Sequence, residues 1–209
     1  MKTFLFDFDG TLVDSMPTFV SVMLRILDEN QIPHPKDVVK TITPLGYGGT
    51  AKYFKTLGVP LTVEEMTAKM TEYATSAYRD EIGAKDGVID TLKALKARGD
   101  SLSILTASPH TMLDPCLKRL GIYDLFTNVW SCDDFGTTKA DPEIYRAAAS
   151  KMGVDVGDVI FLDDNLNANA TAKKAGAVVW GVYDDSSQNL ESEMRALCHK
   201  YIHNFRELL

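Results

Sequence analysis

The stretch KTFLFDFDGTLVDS, residues 2–15, sets how the rest of the chain is read. Phe4, Leu5 and Phe6 form an apolar run without alternation. That is the pattern of a strand buried on both faces of a parallel sheet. Asp7 and Asp9 close the run two positions apart, and Gly10 and Thr11 follow. Two carboxylates this close repel each other, so their placement calls for a compensating charge. Gly10 lets the backbone turn closely, so that amide N–H groups can face phosphate oxygens.

Four more apolar runs read as strands: SLSILTA (101–107), NVWSC (128–132), VIFLDD (159–164) and AVVWGV (177–182). Helical stretches lie between the later ones. Ser108-Pro109 and Asp141-Pro142 each place a capping residue before a proline at a first helical position. The alanine-rich segment Leu166 to Ala175 stops at Gly176. The fold class expected is α/β, a Rossmann-like doubly wound parallel sheet. Residues 16–82 carry no strand signal and read as an inserted all-helical domain, with 1–15 and 83–209 forming the catalytic core. A capping box, Thr62 to Glu65, opens a helix whose Met66, Met70, Tyr73 and Ala77 recur at helical spacing as a packing stripe. DSMP (14–17) and GAKDG (83–87) are the expected hinges. Near the C-terminus, Leu190, Met194, Leu197, Tyr201 and Phe205 suggest an amphipathic helix packed on the sheet. His199 and His203 lie four apart on it, without the Glu of a metalloprotease helix, and are not read as a metal site.

Composition excludes several function classes. The chain has 209 residues, 45% of them hydrophobic, enough for one large domain or one domain with an insert. No apolar run approaches the roughly 20 residues of a membrane span. An aspartate interrupts the N-terminal run too early for a signal peptide, so a cytoplasmic protein without membrane contact is expected. A net charge of −7 and the lack of a basic tract argue against nucleic acid. Cys116, Cys132 and Cys198 form no paired pattern and read as buried, reduced thiols. An acidic protein that binds an anion needs local positive charge, from a metal ion or a placed lysine.

Ligands of open parallel sheets bind outside the carboxyl ends of the strands. There stand Asp7, Asp9, Gly10, Thr106, Ala107, Ser108, Asp163 and Asp164, with Lys139 in the loop after the third strand. Clustered carboxylates with no His or Cys beside them favour a hard cation, and Mg²⁺ is the usual partner of a phosphate ligand. The metal then neutralises the repulsion between the acids. A carboxylate can also be a nucleophile through an aspartyl phosphate. Thr106 can donate a hydrogen bond, and Lys139 supplies a point charge.

DFDGTLVDS, ILTAS, KADPEIY and FLDDNLNANATAKKAG, in that order, resemble the four motifs of the haloacid dehalogenase superfamily, and the resemblance spans the chain. It implies Asp7 as nucleophile and Asp9 as general acid and base. It implies that Asp7, the Asp9 carbonyl and an acid of the last motif hold Mg²⁺, and that Thr106, Ala107, Gly10 and Lys139 bind the phosphoryl group. Members that cleave carbon–halogen bonds lack an Asp at the position of Asp9, so phosphoryl transfer is expected. Two departures stand out. Ala140 replaces a proline of the third motif, and Ala168 falls where the last motif often has its final Asp. The second acid is then Asp163, or is replaced by Asn167 or Asn169; Asp164 is expected as the direct ligand, with Asp163 supporting Lys139 or the metal shell.

The helical insert resembles the superfamily's C1-type cap. Within it, TPLGYGGTAKYF (43–54) reads as an interhelical turn or a substrate-specificity loop, with Tyr47, Thr50 and Lys52 as candidate contacts. Arg25, Arg79 and Lys85 read as surface charges. The expected function is a Mg²⁺-dependent phosphatase acting on a small phosphorylated metabolite, similar to the phosphoglycolate phosphatase branch. The alternatives are a sugar phosphomutase resembling β-phosphoglucomutase and a non-catalytic phosphate-binding module. A monomer or a homodimer is expected.

Overall fold

Phe4, Leu5 and Phe6 are all fully buried, so the first strand has covered faces on both sides, as its unbroken apolar run requires. The computed structural model describes residues 1–209. In chain order the elements are β1 (Thr3–Phe6), α1 (Met16–Glu29), α2 (Val38–Ile42), α3 (Gly46–Thr56), α4 (Val63–Asp80), α5 (Val88–Ala97), β2 (Ser101–Thr106) and α6 (His110–Arg119). Then follow β3 (Asn128–Ser131), α7 (Glu143–Met152), β4 (Val159–Asp163), α8 (Leu166–Ala175), β5 (Val178–Val182), α9 (Glu191–Leu197) and β6 (Lys200–Ile202). The chain divides into two compact units, Met1–Asp14 with Gly83–Leu209, and Ser15–Ile82. No helix is long and apolar enough to cross a membrane.

The larger unit is built on one sheet of order β3-β2-β1-β4-β5-β6. Every neighbouring pair is parallel. The chain leaves β1 to build one side of the sheet and returns to build the other, so a topological switch point lies beside β1. Leu5, Leu105, Phe161 and Val179 project to one face and pack under Ile144, Tyr145 and Ala148 of α7 and Ala172 of α8. Phe6 lies on the opposite face, its ring 6.3 Å from that of Phe126 and 6.1 Å from that of Phe205. The smaller unit has its own core, in which Met23, Ile26 and Leu27 of α1 meet Phe54 of α3 and Met66 and Met70 of α4. Its α4 begins at the expected capping box: Glu65 N–H donates to Thr62 Oγ1 at 3.1 Å and Thr62 N–H to Glu65 Oε2 at 2.7 Å.

Three local expectations are corrected. The single C-terminal helix does not form. Helix α9 ends at Leu197, residues 200–202 join the sheet as β6, and a short 3₁₀ turn covers Phe205–Leu208. The three- and four-residue spacing arose because Met194, Tyr201 and Phe205 are buried from three different elements. The edge of β5 decided the matter, since its unpaired backbone groups offer residues 200–202 a ladder, with Trp180 opposite Lys200 and Val182 opposite Ile202. His199 turns its Nδ1 to the Val179 amide at 3.1 Å, while His203 stacks on Tyr183 with ring centroids 4.8 Å apart. Residues 43–54 are not a loop: a 3₁₀ turn leads directly into α3, despite the glycines. Helices α6 and α7 start one residue later than the prolines suggested, so Pro109 and Pro142 stand at the N-cap itself. The three cysteines are free; Cys116 and Cys132 are buried and Cys198 is half-buried.

At the end of the sheet away from the acids, Asp100 joins β1 to β2. Its carboxylate accepts the Lys2 amide at 2.7 Å and the Arg98 guanidinium at 2.7 Å, and it is buried. Burial opposes its ionisation, yet the Lys2 amide and Arg98 hold its carboxyl below the usual value. A depressed carboxyl stabilises the fold above its unfolded pKa of about 4 and loses that contribution as pH falls through the folded value. Asp100→Asn should therefore cost about 1.5–3 kcal/mol at neutral pH. Urea unfolding should show part of the wild-type loss between pH 5 and pH 3 missing from the variant, and an identical pH profile would refute this role.

Candidate active site

Backbone pairing alone brings the first acids together. Phe6 pairs with Leu162, and the Asp7 amide donates to the Leu162 carbonyl at 2.8 Å, so Asp7 emerges from β1 beside Asp163 at the tip of β4. Asp164 follows in the turn to α8. One carboxylate oxygen each from Asp7, Asp163 and Asp164 lies within 4.8 Å of the others. All three side chains are buried. Lys139, from the loop after β3, reaches between them: its Nζ contacts Asp7 and donates to Asp163 Oδ2 at 2.8 Å. The lysine is itself well covered, with its side chain 14% exposed. Tyr145 donates its hydroxyl to the Lys139 carbonyl at 3.1 Å, which fixes the backbone from which the side chain extends.

The electrostatics follow from burial and crowding. Burial pushes the Asp7 carboxyl up; Lys139 opposes the rise, Asp163 and Asp9 add to it, and the result is about 7. Asp164 is raised well above the ordinary value by burial first, then by Asp163, Asp7 and Asp184. Burial works against the charged form of Lys139, but Asp163 and Asp7 outweigh it and keep the ammonium charged. With all three carboxylates ionised against one ammonium, the formal charge is −2 (three negative, one positive), a state that the raised Asp7 and Asp164 carboxyls reach fully only beside added positive charge. A cluster of oxygen donors with that charge, and without sulfur or imidazole, suits one hard divalent cation such as Mg²⁺.

The last acid pair is braced from several sides. Asp163 Oδ1 accepts the Asn165 amide at 2.7 Å, and Asn165 caps α8 by accepting the amides of Asn167 and Ala168. Thr11 donates its hydroxyl to Asp164 Oδ1 at 3.2 Å and accepts the Asp164 amide at 3.1 Å. Asn169 turns its side-chain amide to the Asp163 carbonyl at 2.8 Å, and Asn167 is exposed. Neither asparagine stands in for a missing carboxylate at the cluster. Ala168 is buried against the core behind it.

Asp9 and Thr106 lie on the same edge. Ser108 donates its hydroxyl to Asp9 Oδ2 at 2.5 Å, and the Ser108 amide donates to Thr106 Oγ1 at 3.1 Å. Ser108 reads in the sequence as a helix cap, and no local pattern signals its bond to Asp9, 99 residues away in the chain. Thr106 is buried at the end of β2, and Ala107 is exposed just beyond it. Gly10 requires a correction. Its amide donates to the Val13 carbonyl at 3.0 Å within a tight turn, so it does not face outward as a phosphate donor. Its role is steric: φ is +70°, and a Cβ there would lie 2.6 Å from Asp164 Oδ2.

Lys85 is the second correction, because it is not a surface charge. Its side chain is 19% exposed, and its Nζ donates to the Gly10 carbonyl at 2.7 Å, the Tyr183 carbonyl at 2.6 Å and Asp184 Oδ2 at 3.0 Å. Arg25 and Arg79 are exposed and paired with Glu29 and Asp80. In the smaller unit, Thr50 is fully buried and gives its hydroxyl to Met23 Sδ and the Ile42 carbonyl, which removes it from the candidate substrate contacts. Tyr47 stacks on Phe19 with centroids 5.2 Å apart, and Lys52 is exposed on α3.

Comparison with known proteins identifies the family. The family model of haloacid dehalogenase-like hydrolases matches residues 1–176. The phosphoglycolate phosphatase of Salmonella paratyphi A is 31% identical over 195 residues, covering 82% of this chain and 77% of that protein. The N-acetylmuramic acid 6-phosphate phosphatase of Pseudomonas aeruginosa is 28% identical over 181 residues, covering 84% and 79%. A Thermotoga maritima structure assigned as a β-phosphoglucomutase shares the fold with a TM-score of 0.85 at 22% identity, covering 100% of this chain and 97% of its own. The chain belongs to the haloacid dehalogenase-like hydrolases and is a phosphatase of that family.

Proposed function

We propose that the protein is a Mg²⁺-dependent phosphatase that hydrolyses a small phosphorylated metabolite through a phosphoryl group carried on Asp7. The observation that carries this reading is the meeting of Asp7, Asp163 and Asp164 around the Lys139 ammonium at the ends of β1 and β4. The curated relatives support a small ester as substrate, since their names specify phosphoglycolate and N-acetylmuramic acid 6-phosphate. Asp7, Asp164 and the Asp9 carbonyl would hold Mg²⁺, with Asp163 engaged by Lys139. When bound, the ion supplies positive charge to phosphoryl oxygens and offsets the repulsion among the acids.

In the first step a carboxylate oxygen of Asp7 attacks phosphorus, and the bond from phosphorus to the ester oxygen breaks. The leaving oxygen takes the proton of Asp9, then a carboxylic acid, and departs as an alcohol. In the second step Asp9, now a carboxylate, accepts a proton from water as the water oxygen attacks phosphorus. The bond to Asp7 breaks, releasing inorganic phosphate and restoring both aspartates. Ser108 holds Asp9 in place through its hydroxyl. Lys139 and Thr106, with the backbone at Ala107, hold the phosphoryl oxygens, where charge builds up. The buried setting strengthens each of these interactions relative to water.

Three outcomes test this reading with a panel of phosphorylated metabolites and phosphate release as the measurement. Asp7→Asn should lower kcat by roughly 10⁴-fold or more while leaving the circular dichroism spectrum intact. Asp9→Asn should lower the rate by about 10²–10⁴-fold, and intact mass should detect a phosphoryl adduct that persists on the protein. Chelation of divalent ions should abolish turnover, and added Mg²⁺ should restore it. Full activity in the Asp7 variant or in chelator would refute the mechanism, and an isomerised ester without free phosphate would favour the mutase.

A further inference from the structure

The residues that follow the helical unit in sequence run back beside the catalytic turn. The Asp14 amide donates to the Gly83 carbonyl at 3.0 Å, Val13 bridges Ala84 in antiparallel fashion, and the Lys85 amide donates to the Leu12 carbonyl at 3.0 Å. This short ladder aims the Lys85 side chain at the interior of the turn. An ammonium has three protons to give, and Lys85 places them on the carbonyls of Gly10 and Tyr183 and on Asp184. Asp184 is buried, and its other oxygen accepts the Ser186 amide at 2.9 Å and hydroxyl at 2.5 Å.

Two consequences converge on the active site. First, the Gly10–Thr11 peptide is gripped from both sides. Lys85 holds its carbonyl, while Asp164 lies against the Gly10 Cα and exchanges two hydrogen bonds with Thr11. The orientation of that peptide therefore sets where the Asp164 carboxylate and the turn carrying Asp9 can sit. Second, Asp184 is a further buried carboxylate on an edge already crowded with negative charge, and Lys85 is its ion-pair partner at 3.0 Å. An apolar side chain at 85 would take the Lys85 donor from two carbonyls and from Asp184 Oδ2, and would leave the buried Asp184 charge without its ion-pair partner.

We propose that Lys85 is a positioning residue for the phosphatase reaction, fixing the Gly10 peptide and, through Thr11, the placement of Asp164 and Asp9. This rests on the reading of Asp7, Asp9 and Asp164 as the reacting set. The test compares Lys85→Met, the double variant Lys85→Met with Asp184→Asn, and Arg206→Ala, using p-nitrophenyl phosphate turnover and thermal unfolding. Arg206→Ala frees Asp86, the neighbour of Lys85, from its exposed ion pair at 2.8 Å without touching the turn. Lys85→Met should lower kcat ten-fold or more with KM changed less than three-fold, because Thr106 and Lys139 are untouched. The double variant should regain thermal stability, since no lone buried carboxylate remains, yet keep the low kcat, since Gly10 still lacks its donor. That variant keeps the test decisive if Lys85→Met alone does not fold. Arg206→Ala should keep kcat within two-fold of wild type. Wild-type kcat in the double variant, or an equal kcat loss in Arg206→Ala, overturns the positioning role. Asp7→Asn serves as the parallel control: its inactivity confines such a failure to Lys85, whereas its full activity would remove the underlying mechanism and this role together.

Discussion

The ammonium of Lys139 between Asp7 and Asp163 is the contact on which the rest of the site depends. Parallel pairing of β1 with β4 forces two carboxylates to emerge side by side, and both are almost wholly shielded from water. Buried like charges are tolerated only where partners and hydrogen bonds compensate them. One lysine compensates in part, and the remaining negative charge fits a divalent cation. On the proposed reading, the crowding that looks like a defect in the first strand serves as a cation grip.

Much of the supporting structure restricts how these groups can move. Asp163 is tied to the amide that begins α8, and Asp164 to the hydroxyl and backbone of the Thr11 turn. Gly10 makes room for Asp164 by having no side chain, and Lys85 holds the carbonyl of that same glycine. Acids on strand tips have little freedom, because the sheet beneath them is rigid and paired along its length. The residues that approach from loops, Lys139 and Ser108, are fixed by backbone contacts, the Lys139 carbonyl to the Tyr145 hydroxyl and the Ser108 amide to Thr106 Oγ1. Precision at the site comes from the sheet, and charge balance comes from the loops.

The unbroken apolar runs located five strands, because strands covered on both faces have no polar positions to blur the pattern. The capping box at Thr62 and the glycine stop at Gly176 were legible because each is a local hydrogen-bonding rule. The four acids and Lys139 were legible by their position at strand ends, together with the family resemblance of the motifs. The glycine-rich 43–54 segment was misread because burial of Thr50, Ala51 and Phe54 overrides the weak helix propensity of its glycines. The C-terminal stripe was misread because a helical spacing of apolar residues does not reveal an open sheet edge nearby.

By itself the sequence determined the sheet's core strands, the order of the motifs and the chemical type of the groups gathered at the strand ends. Those depend on side-chain identity and on contacts between residues close in the chain. Only the tertiary structure decided that Ser108 serves Asp9 rather than a helix, that the Gly10 amide is turned inward, and that Lys85 is half-buried with three acceptors. The sixth strand belongs with them. Each of these rests on groups far apart in the chain, such as Lys85 and Tyr183, whose meeting is fixed by strand order and not by any local pattern.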